Sequence, residues 1–571
     1  MQQQSGVPAS ATESDDTRAT PILSANFLAF VEDLRQDMSI PGISLGVVRL
    51  ADDGQPPATQ FAAFGRKLED GDGHDLTPDT LFCLASCSKA FLAASVGLLI
   101  DDFAHGRNTT PLPAGLSRFD WDTKIAAILP EEWQLDDAWS TLGANVRDVL
   151  GHVTGLPQHD GAYGPGDTMA DIVRRMRDLR TAYELREKYS YNNQMYMLGA
   201  HIIEKYSGLT YSQFVAERLL KPLKMSTSTL SPSEAASSGL LTDTWTKDGR
   251  RIPFWFTEED SRLTAGPGGV ISSAEDMVKW LAVWLNKGVH PSSGETLIPR
   301  SVYDAVTTAR QVVEGCPTKP YGAGIVGYGM GWKRWTYEGI EIIMHTGGIP
   351  GFSTIVVFSP SSNLGIVVLI NADEKAEHIL TIVKRAFDDV LNLSQSGVSV
   401  VTETPVHIRE DLAPPGRPSL GTLSLDLEAY TGTYSSPGYG TFTLCSAQST
   451  SNSCTSVLED FASLGPLPTS EPHLYAAHKT ILSTHVHLRH LHGDVFHVTF
   501  PALFPHGYGK DTSAFETYET GSDGWAEFSI VNGKVDGFSL VVDEDAVAAR
   551  RKRRGKNVTL KDVADAWFEK I

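Results

Sequence analysis

From Leu84 to Phe103 the chain reads LASCSKAFLAASVGLLIDDF. Its apolar residues, among them Phe91, Leu92, Val96, Leu98, Leu99 and Ile100, fall on nearly every side of a 3.6-residue period. A helix that is apolar all round is buried, so this segment predicts a helix in the middle of a domain. Before it, GISLGVVRLAD (42–52) and TQFAAFGRK (59–67) predict two strands joined by a Gly/Pro-rich loop. A mixed, mostly helical region follows to about residue 300. Three strand-like runs come next, GIEIIMHT (339–346), FSTIVVFSP (352–360) and NLGIVVLINAD (363–373). Turn residues separate them, which predicts consecutive antiparallel strands, and HILTIVKRAFDDVLNL predicts a closing helix.

The pattern then changes. The stretch around ETP, APPG and GRP suits a linker. Beyond it, YTGTYSSPGYGTFTL, HVHLRHLHGDVFHVTF and WAEFSIVNGKVDGFSLVVD alternate with period two between tight turns, and Asn532-Gly533 is a hairpin signal. We expect an α+β domain, an antiparallel sheet flanked by helices with a helical subdomain, over 23–395. A disordered tail over 1–22 precedes it, and a linker over 396–424 leads to a small all-β barrel or sandwich over 425–571. No internal repeat is visible.

Composition narrows the function. The 571 residues carry a formal net charge of -21, which opposes nucleic-acid binding because phosphates would be repelled. No apolar run is long enough to span a bilayer, and MQQQSGVPASATESDD lacks the basic and apolar regions of a signal peptide. The five cysteines are sparse and odd in number, which does not read as a disulfide framework. A cytoplasmic protein is expected, with a small-molecule partner and no metal or cofactor.

The candidate chemistry starts on the buried helix. Ser86-Cys87-Ser88-Lys89 fits Ser-x-x-Lys. Residues three apart share a helix face, and a buried lysine loses affinity for its proton and can take one from serine. Ser86 at a helix start also gains backbone N–H groups aimed at a developing oxyanion. Such a tetrapeptide arises by chance in long chains; the apolar helix around Lys89 is what sets this one apart, since an unpaired buried lysine is expensive. Tyr191-Asn192-Asn193, entering a second helix, offers a phenol for proton relay and an amide to hold a carbonyl; taken in isolation, helix capping by an asparagine is the better explanation. His345-Thr346-Gly347-Gly348 ends an apolar strand, where glycine lets a substrate backbone approach and the Gly348 N–H can face an oxyanion; a plain turn between strands also uses Gly-Gly.

In the order Ser-x-x-Lys, Tyr-x-Asn, (Lys/His)-x-Gly, the three elements resemble the serine β-lactamase and penicillin-binding-protein superfamily, closest to its class C β-lactamase-like esterases, D-aminopeptidases and acyltransferases. DTLFCLASCSKAF, VRDVLGHVTGLP, GPGGVISSAEDMVKWL and YGMGWKRW share the likeness, which covers about residues 25–395. It implies Ser86 as acylated nucleophile, Lys89 and Tyr191 as base and acid, Asn193 as substrate positioner, and the Ser86 and Gly348 backbones as oxyanion hole. His345 departs from the lysine of true β-lactamases, which favours esters or uncharged amides over antibiotics. The expected activity is hydrolysis of an ester, thioester or amide. The alternatives are an acyltransferase of a natural-product pathway, a D-amino-acid peptidase and a non-catalytic scaffold. The C-terminal region resembles, in texture, the lipocalin-like appendage of some of these hydrolases.

Weaker candidates remain. His159, Tyr163 and Trp255 lie in loops expected to border the cleft and line a hydrophobic pocket. The run His485, His487, His490, His492 and His497 is expected to be solvated rather than metal-binding. Arg550 to Arg554 is expected to be a solvated surface segment rather than a localisation signal.

Overall fold

The computed structural model describes residues 21–51, 55–316, 324–393, 421–518, 523–555 and 557–571. The tail and the linker expected from the sequence lie outside the described residues, except for their last few positions.

The first domain is built on an eight-stranded antiparallel sheet. Its strands are β1 (Gly42–Arg49), β2 (Ala58–Gly65), β3 (Gln311–Glu314), β4 (Val326–Tyr328), β5 (Lys333–Tyr337), β6 (Ile340–Ile349), β7 (Phe352–Ser359) and β8 (Leu364–Ile370). They lie side by side as β2-β1-β8-β7-β6-β5-β4-β3. Both faces are covered, which is why its central strands are apolar at almost every position. Neighbouring residues point to opposite faces. Val47, Val357 and Val368 join one core with helices α1 (Ala25–Asp37) and α5 (Ala376–Leu391). Val48, Val356 and Val367 join the other.

That second core surrounds the predicted central helix. A short 3-10 turn, Ala85–Cys87, leads into α2 (Ser88–Ala104). It packs on α3 (Asn193–Ser207) and on α4 (Ala274–Leu285), where the Phe91 and Trp280 rings stack at 4.0 Å. The expected end of the third motif differs. Strand β6 continues to Ile349, so His345 to Gly348 lie within the strand, paired in register from His345↔Val356 to Gly348↔Ser353, and the turn falls at Pro350-Gly351.

The C-terminal domain is a second eight-stranded antiparallel sheet: β9 (Gly432–Ser436), β10 (Gly440–Leu444), β11 (His473–Ala477), β12 (His485–His492), β13 (Val495–Thr499), β14 (Gly524–Val531), β15 (Lys534–Val541) and β16 (Ala566–Lys570). The strands lie side by side as β10-β9-β16-β15-β14-β13-β12-β11, with β16 pairing back to β9, and the two ends of the sheet meet where Cys445, just past β10, and Tyr475 of β11 exchange backbone hydrogen bonds of 2.8 and 2.9 Å. The sheet thereby closes on itself. The β14–β15 hairpin turns at Asn532-Gly533 with φ of 50° and 74°, the pair of positive values a type I′ turn demands.

Three features correct expectations. Cys445 and Cys454, unpaired in the sequence reading, form a disulfide across a Cα separation of 5.5 Å. The barrel histidines are engaged rather than solvated: His473 Nδ1 lies 2.9 Å from His487 Nε2, and His485 and His497 face Asp460 and Asp523. The helix Asn452–Ala462 causes part of this by packing Phe461 against His485. Arg551 to Arg554 are exposed as expected, but Arg550 is buried. Its guanidinium donates to Asp565 at 2.7 Å within the barrel domain and to the carbonyls of Thr181 (3.0 Å) and Arg180 (2.9 Å) in the first domain, clamping the two together.

Candidate active site

Ser86 occupies a turn whose backbone allows little movement. Ala85, just before it, sits at φ 47°, a left-handed conformation that costs a non-glycine residue about 1–2 kcal/mol. Such strain survives only where the surroundings dictate it. Here they do: Leu84 N–H donates to Val270 O at 2.8 Å, Thr354 Oγ1 donates to Leu84 O at 2.8 Å, and Cys87 Sγ donates to the His345 carbonyl at 3.1 Å. Ser86 alone in the turn keeps partial exposure. Ser88, the neighbouring hydroxyl, is buried and accepts from Val270 N–H at 3.0 Å. Cys87 turns into the core, where burial pushes its thiol up to about 12.

Lys89 is fully buried one helical turn on. Its ammonium has three N–H groups, and all three find acceptors: Ser86 Oγ at 3.1 Å, Asn193 Oδ1 at 2.8 Å and Pro267 O at 2.9 Å. Burial pulls its pKa down to about 7, against an upward pull from Asp160. A free amine one hydrogen bond from the serine is therefore accessible near neutral pH. The Tyr191 hydroxyl lies 2.8 Å from Ser86 Oγ, and burial holds that phenol well above its ordinary range, so it stays protonated. The two asparagines divide their work. Asn192 caps α3 by accepting from Gln194 N–H, whereas Asn193 bridges Lys89 and Asp160, to which its Nδ2 donates at 3.2 Å.

The third strand closes the site differently from the expectation. His345 is buried, with Nδ1 2.6 Å from the Thr346 carbonyl and Nε2 3.4 Å from Tyr328 OH. Burial holds the imidazole well below its usual pKa, so it is neutral. Gly347 lies against the nucleophile turn, where a Cβ would meet Leu84 O at 2.2 Å; Gly348 faces open space. Lys333, on the adjacent strand, also lines the cleft.

These residues border a cleft of about 540 Å³ that contains Ser86, Tyr191, Asn193, Tyr163, Trp255, His345, Gly347 and Gly348. His159 is not among them. Its Nδ1 accepts from Tyr439 OH at 2.6 Å and its Nε2 donates to Arg180 O at 3.2 Å, because the loop turns it toward the barrel.

Sequence reasoning missed three contributors. Asp160 accepts from Tyr163 OH at 2.6 Å as well as from Gln158 and Asn193, and desolvation raises its carboxyl. Its place beside His159 and Tyr163 was the available signal. His152, inside the VRDVLGHVTGLP segment, packs its ring 4.6 Å from that of Tyr191. The third is the barrel itself, which supplies Ile481, Leu482, Thr517 and Tyr518 to the cleft wall; Trp255 Nε1 donates to Ile481 O at 2.8 Å. No local sequence signal marks these. Among the described residues no three His, Cys, Asp or Glu side chains come together as a metal site, and no helix is long and apolar enough to cross a membrane.

Comparison with known proteins agrees with this geometry. The sequence model of the β-lactamase family matches residues 27–386. The chain is 28% identical over 446 residues to an unguisins hydrolase of Aspergillus campestris, covering 74% of this chain and 78% of that protein. It is 24% identical over 413 residues to penicillin-binding protein 4 of Amycolatopsis lactamdurans, covering 71% and 96%. Among solved structures, the octameric penicillin-binding protein homologue from Pyrococcus abyssi superposes with a TM-score of 0.53 at 18% identity, over 91% of this chain and 98% of that one. The D-amino acid amidase of Ochrobactrum anthropi SV3 reaches 0.51 at 20% identity, over 64% and 99%. The two structural likenesses speak for the fold. With its family's sequence pattern spread over most of its length, the chain belongs to the β-lactamase family and is an enzyme of that serine-hydrolase type.

Proposed function

We propose that the protein hydrolyses an uncharged amide or ester through an acyl-enzyme on Ser86. The observation that carries this is the contact of Ser86 Oγ with both the Lys89 amine, at 3.1 Å, and the Tyr191 phenol, at 2.8 Å. The free Lys89 amine accepts the Ser86 proton as Oγ bonds to the substrate carbonyl carbon. The oxyanion forms toward the Ser86 and Gly348 N–H groups. The C–N or C–O bond breaks, and the leaving group takes a proton passed from Lys89 through Tyr191. A water molecule then attacks the ester, returns a proton to the same pair and frees the serine.

Hydrolysis is favoured over transfer to another acceptor because relatives carry the names hydrolase and D-aminopeptidase. The uncharged substrate follows from His345, which offers no lasting cation. The division into a catalytic part at 23–395 and a lipocalin-like part at 425–571 is supported by the up-and-down order of the second sheet. The net charge of -21 supports a small-molecule rather than a nucleic-acid partner. The cytoplasmic location fits poorly with the Cys445–Cys454 bond, since disulfides persist mainly in oxidising compartments.

Intact-protein mass measurement with a panel of activated esters, amides and β-lactams tests the reading. A mass increase equal to the acyl group, absent in Ser86→Ala, is expected; an adduct that persists in Ser86→Ala removes the assignment.

A further inference from the structure

The barrel is hollow at the end that faces the cleft. A cavity of about 340 Å³ is lined by Phe442, Leu488, Val498, Phe538, Leu540 and Phe568, the inward residues of its strands. The remainder of the lumen is filled by packed rings: Tyr430 and Phe496 lie within 5.2 and 5.3 Å of Phe528. The cavity meets the catalytic cleft at a common wall, because Gln158, Asp160 and Leu482 line both. Three hydrogen bonds, through Lys89 and Asn193, connect Ser86 Oγ to that wall at Asp160.

The lip decides what can enter. The ionisable groups lining the cavity are Asp160, Asp543, Asp565, His159, His478 and Tyr439, whose phenol burial keeps protonated. Asp565 is neutralised by Arg550 at 2.7 Å, and burial keeps both imidazoles neutral. The lip therefore offers no unpaired cation, and an entering carboxylate would face acidic groups across an apolar wall, an unfavourable arrangement. An uncharged hydrocarbon loses only its contact with water, which favours entry.

We propose that the barrel lumen is the apolar subsite of this active site and holds an uncharged hydrocarbon arm of the substrate while the scissile carbonyl lies at Ser86. The proposal rests on the hydrolase reading and adds the substrate class: amides or esters with a long aliphatic or aromatic group a short distance from the carbonyl.

Two measurements test it on the full chain. In a series of p-nitrophenyl esters from acetyl to decanoyl, kcat/KM should climb, and the decanoyl-to-acetyl ratio should be on the order of a hundredfold, which corresponds to about three to four well-buried methylenes at roughly fourfold each. Leu488→Trp and Val498→Phe, which fill the lumen, should bring the ratio toward one. A flat series in the parent, or a ratio that neither substitution lowers, overturns the proposal while leaving the hydrolase intact. The second measurement needs no chemistry. N-phenyl-1-naphthylamine should fluoresce on binding to Ser86→Ala and be displaced by decanamide, but far less by decanoate or acetamide. Absence of binding, or displacement by decanoate as efficient as by decanamide, sinks the proposal even where esters are cleaved. Displacement as expected, in a protein whose parent form cleaves neither esters nor amides, supports the lumen as the apolar site and overturns the hydrolase reading alone.

Discussion

The cleft around Ser86 and the lumen of the barrel share Gln158, Asp160 and Leu482 as lining, and they are made by opposite means. The cleft is organised by a hydrogen-bond chain in which Tyr191, Ser86, Lys89, Asn193 and Asp160 each have a definite partner. Its pieces come from a few short segments, and each is specified by chemistry. The lumen is an apolar space with almost no directional contact, assembled from alternate residues of many strands. Removing one member of that hydrogen-bond chain disables a function, whereas removing one lining residue reshapes a volume. Reaction type is therefore concentrated in few positions, and substrate preference is spread over many.

That contrast can be broken in graded ways. The largest effect belongs to the nucleophile: Ser86→Ala should lower kcat by at least about a thousandfold with unchanged far-ultraviolet circular dichroism. Retained turnover would move the chemistry elsewhere in the cleft. Next come the proton carriers. Lys89→Met and Tyr191→Phe should each slow acylation in stopped flow by about a hundredfold or more. In the parent the rate should rise with pH through an ionisation near 7, because burial has lowered the folded Lys89 to about 7 and only its deprotonated form accepts the serine proton. Tyr191→Phe should keep that ionisation; its loss there would make the phenol the titrating base.

The junction between the regions responds next. Arg550→Ala leaves Asp565 buried without its partner, a change worth about 3–5 kcal/mol. Thermal unfolding should show the barrel melting earlier, and an unmoved transition would mean that the clamp contributes little. A smaller effect concerns substrate charge. p-Nitrophenyl esters should exceed a chromogenic cephalosporin in kcat/KM by on the order of a hundredfold, since neutral His345 gives no charge-assisted contact to a carboxylate. His345→Lys should narrow the ratio; efficient cephalosporin turnover that disappears in Lys333→Met would reassign that contact to Lys333. The smallest effect is electrostatic. Asp160 raises the pKa of Lys89, so Asp160→Asn should shift the kinetic ionisation to lower pH. A profile that stays in place would show that Asp160 bears no charge there.

The sequence and the structure agree where a local pattern has one physical meaning. The all-round apolar helix from Ser88 to Ala104, the strands from Ile340 to Ile370 and the Asn532-Gly533 hairpin each follow from periodicity or turn chemistry alone. Ser86, Lys89, Tyr191 and Asn193 were picked out by the order of their motifs along the chain and the family resemblance it carries, and the structure brings them within hydrogen-bond reach of one another. What escaped depends on long-range approach. His159 was expected in the cleft and faces Tyr439, 280 residues away in sequence. Arg550 stood in a run of cations whose others are exposed, and only the packing of Arg180 and Thr181 beneath it singles it out. Asp160 has no motif of its own; its meaning comes from the three side chains that donate to it.

The contact between Gly347 and Leu84 has a consequence for how this enzyme can change. Strand and turn meet there almost backbone to backbone, with the Thr354 hydroxyl beside the contact: a Cβ on Gly347 would stand 2.2 Å from the Leu84 carbonyl oxygen and 2.4 Å from Thr354 Oγ1. The height of the serine above the sheet is thus set like a hard stop, by this close approach together with the Thr354 and Cys87 hydrogen bonds that hold the turn. Side chains elsewhere in the core, Phe91 against Trp280 among them, can drift in size and alter how firmly the domain holds without resetting that height. The barrel wall can be rewritten residue by residue over an unmoved datum, which leaves the chain free to change what it cleaves while keeping where it cleaves.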